Sequence, residues 1–167
     1  MTITDYKIEK LTTEYVQEED RVRLNLTDPQ SNRSSLWFTQ RLLNRMIPAL
    51  VKVLEEETQG QPQSSDVQAF NQAQAQQSIE QDSPVAPADS SWLVHRIDMT
   101  PSATKVVLVF TDGDNTSARL DMPRKALRQW LSIVRELYKH AGWSTDFWPN
   151  WLKPLSGQDH PNKGRLH

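Results

Sequence analysis

Residues that could do chemistry are common in this chain but poorly grouped. Asp112-Gly113-Asp114-Asn115 offers the oxygen ligands of a calcium loop, yet an EF-hand starting there requires glycine and glutamate where the chain has Ser117 and Pro123. The run therefore reads as a hairpin turn, with Gly113 and Asn115 able to take positive φ. Four histidines, His95, His140, His160 and His167, are scattered without metal-ligand spacing, and there is no cysteine to supply a thiolate or a disulfide. No serine sits in a nucleophile elbow and no glycine run forms a phosphate loop. The sequence thus points to no catalytic residue, no cofactor and no metal, and a non-enzymatic role is expected.

Two groups of residues stand out instead. The first is near the C-terminus, where Trp143, Trp148 and Trp151 fall within nine residues, with Phe147 and Leu152 among them and Pro149 and Pro154 disfavouring a helix. So much apolar surface must be covered. It can fold back over the chain's own sheet, or it can anchor a partner, since tryptophan dominates interface hot spots. The second group is Arg124, Arg128, Arg135 and Lys139, spaced as a basic stripe on the polar side of a helix. Such a stripe is either a solvated face or a track for a phosphate backbone.

The composition limits the partners. With 19 basic and 21 acidic residues and 37% apolar content in 167 residues, the chain has no global field to draw it to nucleic acid or to an anionic membrane. No apolar run reaches the length of a membrane span, and Met1-Thr-Ile-Thr-Asp5 lacks the pattern of a signal peptide. A cytoplasmic location is expected.

The positioning elements come in two sets. Residues 22–54, moved forward by 84 positions, fall on 106–138 without a gap. Val22, Leu24, Thr27, Asp28, Leu36 and Leu43 then meet the identical Val106, Leu108, Thr111, Asp112, Leu120 and Leu127. In each set, strands with alternating apolar residues lead through a polar turn to a helix with a wide apolar stripe. In the first, Tyr6–Val16, Arg21–Thr27 and Ser34–Phe38 read as strands, and Thr39 caps a helix that contains Pro48 and reaches Glu56. In the second, Trp92–Met99, Lys105–Phe110 and Ala118–Met122 are the strands. Asp121 is the expected cap of the second helix, and Gly142 its end.

The expected fold is α+β: two similar β-β-β-α units, an internal duplication about a pseudo-twofold axis, with antiparallel sheet packed against two helices. The units are residues 1–57 and 91–142. Between them, residues 58–90, with nine glutamines and three prolines, read as a flexible linker holding a weak helix around Val67–Ile79 with Phe70 as its apolar anchor. Residues 143–167 form the tryptophan-rich tail.

The leading functional expectation is a protein–protein interaction or assembly protein, an adaptor acting through Trp143, Phe147, Trp148, Trp151 and Leu152. A homodimer is a further partner the linker would allow, by exchange of units between chains. The alternative is a single-stranded nucleic-acid-binding module. In its order of strands then helix, twice over, the chain resembles the PUR-type and Whirly-type domains, whose duplicated sheets present a nucleic-acid surface. That resemblance implies Arg124, Arg128, Arg135 and Lys139, with exposed aromatic rings, as the contact residues.

Overall fold

The computed structural model describes residues 4–79 and 83–152. Its elements are β1 (Thr4–Lys7), β2 (Lys10–Val16), β3 (Arg21–Thr27), β4 (Arg33–Phe38), α1 (Gln40–Glu55), α2 (Ser64–Gln77), β5 (Ser91–Leu93), β6 (Arg96–Pro101), β7 (Lys105–Thr111), β8 (Thr116–Pro123) and α3 (Arg124–Ala141). Short 3-10 turns follow α1 at Glu56–Thr58 and close the described chain at Asn150–Leu152.

The strands form two four-stranded sheets, ordered β2-β3-β4-β5 and β1-β8-β7-β6. Each contains an antiparallel meander, β2-β3-β4 or β6-β7-β8. Here the expectation of three antiparallel strands per unit needs correction. Each sheet has a fourth strand, paired in parallel and drawn from the other half of the chain. β1 joins β8, and β5 joins β4. The sheets are therefore mixed. What read as the single strands Tyr6–Val16 and Trp92–Met99 each break in two, because their first residues pair in one sheet and the rest in the other.

Alternation along the strands sets which face is buried. Val22, Leu24 and Leu26 of β3 and Val106, Leu108 and Phe110 of β7 are fully buried. Phe38 and Phe110 meet edge to face with ring centres 5.2 Å apart, so the inner faces of the two sheets share one core. Leu43, Ile47, Leu50 and Leu54 of α1 and Leu127, Leu131, Val134 and Tyr138 of α3 enter the same core. α1 runs through Pro48 as one helix, and Thr39 caps it by accepting from the Leu42 amide at 3.2 Å. Gly142, at φ 76°, ends α3, and the Trp143 amide returns to the Tyr138 carbonyl. Asp121 does not cap α3. It lies in β8 and pairs with Lys105 and Arg119, and Pro123 precedes the helix without a side-chain cap.

Residues 64–77, within the segment expected to be a linker, form α2. The roles of its residues are the reverse of the sequence expectation. Gln68 and Gln72 are 1% exposed, whereas Phe70 is 61% exposed. The Gln68 amide donates to the Leu54 carbonyl and to Thr58 Oγ1, and its oxygen accepts from Arg128. Gln72 donates to the Arg128 carbonyl. These bonds allow the amides to be buried and dock α2 onto α1 and α3 through a polar seam.

Candidate interaction surface

The tryptophan tail closes the core. Trp143, Trp148, Trp151 and Leu152 are all buried. Trp143 stands edge-on to Tyr15 and Tyr138 and donates to Asp20 at 3.1 Å. Trp148 meets Tyr138 edge-on and stacks on Phe147. Trp151 donates to Glu55 at 3.0 Å, under the guanidinium of Arg128. Phe147 alone of the five residues keeps a large exposed area, at 39%. Lys153–His167, including Pro154, His160 and His167, lie outside the described residues.

The basic stripe is only in part a solvated face. Arg128 is 4% exposed and Arg135 7%. α2 packs over the first turns of α3, so Arg128 is held by Glu57 at 3.1 Å and by Gln68 at 2.8 Å. Arg124 binds Glu57 at 2.7 Å together with the Val53 and Ser102 carbonyls. Burial pulls the Arg128 guanidinium below its ordinary pKa, and the Glu57 carboxylate opposes that pull. Arg135 and Lys139 both lie within 4 Å of Glu136. Arg124, Arg128 and Arg135 are thus tied into the packing of the helices, whereas Lys139 stays exposed beside Glu136.

Between α2 and the start of α3 lies an open cleft of about 700 Å³, lined by Glu57, Asn71, Gln74, Ser78, Lys125 and Arg128. Glu57 and Arg128 are paired with each other, Lys125 is exposed, and among the described residues no nucleophile with an adjacent base converges on it. Asp112 is a turn residue, accepting from the Asp114 and Thr116 amides, which lower its pKa. Among the described residues no group of three acidic or histidine side chains could hold a metal ion.

The outer faces of the two sheets are the remaining large surfaces, and they differ. On the β2-β3-β4-β5 sheet, Thr12, Asn25 and Ser35 lie in one cross-strand row and point away from the core, yet all three are buried. The extended residues 83–90 cross them: the Val85 amide donates to Thr12 and the Ala88 amide to Ser35. In the next row Glu14 binds Arg23, which stacks on Trp37 with its centre 5.1 Å from the ring.

On the β1-β8-β7-β6 sheet the outward residues of β7 are Lys105, Val107, Val109 and Thr111, all half-buried. Among the described residues, the elements in substantial contact with β7 are β6, β8 and α3, and α3 packs on the core side. Val107 and Val109 thus form an apolar ridge on the solvent side. Around it stand Arg119 and Asp121 of β8, Lys7 of β1, and Asp98 and Thr100 of β6. Asp121, bonded first to Arg119 and then to Lys105, has its carboxyl lowered to about 2.

The sequence carries a signal for this surface. In residues 106–110 every side chain is apolar, whereas a sheet with one solvated face alternates. β3, the central strand of the other meander, does alternate, with Arg23 and Asn25 outward. No protein-family model matches the chain, and neither does a curated protein or a solved structure.

Proposed function

We propose that this protein is a non-catalytic interaction or assembly module, and that it works through the outer face of the β1-β8-β7-β6 sheet. The observation that carries this reading is the doubly apolar β7, whose Val107 and Val109 face solvent inside a charged rim. An apolar centre with a polar rim is the anatomy of a protein–protein contact. The tail tryptophans, through which the leading sequence expectation had the protein act, support the same class of function only indirectly, by completing the core beneath the sheets.

We further infer that the two halves arose by internal duplication and are related by a pseudo-twofold axis. The 84-residue offset carries β3 onto β7 and the first residue of α1 onto that of α3. The exchange of one parallel strand in each direction supports it. The nucleic-acid alternative has less support, because Arg124, Arg128 and Arg135 already serve the packing of the helices.

A photo-crosslinking residue placed at Val109 tests the proposal in the protein's own cells. Protein adducts are expected from this position and not from the same residue at Lys125. They should disappear when Val107→Glu is added while the melting temperature is kept. Adducts of equal yield from both positions, or none from Val109, would refute it.

A further inference from the structure

The rim of this sheet face is ordered in a way that identifies its occupant. Successive residues across the strands are Lys7 on β1, Arg119 on β8, Val109 on β7 and Asp98 on β6. The row therefore runs from positive, through an apolar centre, to negative. The neighbouring row runs Asp121, Val107, Thr100. We propose that the occupant is a second copy of this chain, packed face to face about a twofold axis parallel to β7. The inference rests on the reading above that this face is the working surface.

The geometry follows from the strand spacing alone. Facing sheets lie about 10 Å apart and adjacent strands about 4.8 Å apart. A twofold axis midway between two sheets, along β7, leaves β7 opposite β7 and reverses the strand order of the copy. Val107 and Val109 then meet their own equivalents. β8 of one protomer comes to lie over β6 of its partner, so Arg119 faces Asp98 across the interface, twice. With the row at the crossing point, a twist of about 30° between aligned sheets displaces its flanking residues by only about 2.5 Å, within reach of the long Arg119 side chain.

Asp98 is available for such a contact. Its side chain is 56% exposed, and its partner within the chain is the still more exposed Arg96, at 3.3 Å. Arg119 is bound to Asp121 on its own strand, 2.8 Å away, which fixes the direction of its guanidinium. A partner of uniformly acidic or basic character would meet like charge on one flank of the row. A copy rotated by the twofold meets opposite charge on both flanks of this row, and Lys105, which meets its own equivalent on the axis, carries Asp121 beside it as counter-charge.

The area sets the strength. With the axis on β7 only β8, β7 and β6 face the partner's strands, roughly 15 Å by 20 Å or about 300 Å² of flat area per copy, which is below the standard interface size. The dimer is therefore concentration-dependent and dissociates in the micromolar range.

Sedimentation of the full chain between about 1 and 500 µM spans that range. The wild-type protein should shift from monomer to dimer. Asp98→Arg alone and Arg119→Asp alone should each stay monomeric, since each sets like charges opposite each other. An equimolar mixture of the two variants should form dimers again, because both pairs are then of opposite sign. Melting curves of each variant confirm that the fold is kept. A wild-type protein monomeric throughout would overturn the proposal, as would single variants that still dimerise or a mixture that stays monomeric. The Val109 crosslink separates this failure from that of the broader reading. A self-adduct supports the inference, an adduct with a different protein removes it while leaving the interaction module standing, and no adduct removes both.

Discussion

Replacing Trp148 with alanine decides whether the tail is core or anchor. The side chain is 2% exposed, edge-on to Tyr138 at 5.4 Å and stacked on Phe147 at 5.7 Å. A tryptophan buries about 150–250 Å². At about 25 cal/mol per Å² that is roughly 4–6 kcal/mol before the alanine methyl is subtracted. The expected loss is therefore about 3–5 kcal/mol, within the range for large aromatic truncations in cores. That is a large share of the 5–15 kcal/mol typical of domains, so Trp148→Phe is the companion variant, with an expected loss of about 1–2 kcal/mol. Phe147→Ala is the control, since its ring is 39% exposed and should cost less than about 1.5 kcal/mol. Urea unfolding read by far-UV circular dichroism gives all three values, provided the m-value stays constant. A loss below about 1 kcal/mol for Trp148→Ala would mean that the tail does not close the core in solution, and the argument from burial would fail.

Two further outcomes follow from the polar contacts. Gln68→Leu should destabilise by about 2–3 kcal/mol although it adds apolar surface, because Arg128 loses an acceptor and the Leu54 carbonyl a donor. Hydrogen exchange should show the amides of α2 opening first. An unchanged protein would mean that the polar seam does not hold the helix. Asp121→Asn tests the sheet rim through pH. The Asp121 carboxyl is lowered to about 2 by Arg119 and Lys105, from an ordinary value of about 3.9. A depressed folded-state pKa contributes stability that is present above the unfolded value and is lost as pH falls towards the folded one. The gap in melting temperature between wild type and variant should therefore shrink between about pH 4 and pH 2, and a gap constant across that window would refute the pairing.

The parts of the fold that sequence revealed are those governed by periodicity. Leu24 and Leu108 alternate with polar or smaller neighbours, and Leu43 and Leu127 open wide helical stripes; all four are buried where the period places them. What it did not reveal depends on partners distant in the chain. The break between β1 and β2 follows from pairing of β1 with a strand more than a hundred residues away, which no local pattern encodes. The inverted burial of α2 has the same origin. A glutamine reads as solvent-facing until Leu54, Thr58 and Arg128 are known to surround it. The burial of Arg128 was hidden likewise, because spacing puts it on the polar side of α3 but does not say that α2 covers that side. The candidate surface was legible in principle, since Val107 and Val109 depart from the alternation that Arg23 and Asn25 keep.

The exchanged strands bear on how the candidate surface is held. β1 flanks β8 on the sheet that presents Val107 and Val109, and β5 flanks β4 on the other. Neither half completes its four-stranded sheet without a strand from the other half of the chain. The link between them, residues 58–90, is also used twice. Its helix docks on α3 through buried amides, and its last residues cover the Thr12, Asn25 and Ser35 row. The chain thereby covers part of the outer face of one sheet with its own backbone, and among the described residues nothing covers the corresponding central ridge on the other sheet. An apolar ridge retained on a rigid sheet, when the same chain roofs part of the other, is the pattern that association through that face requires.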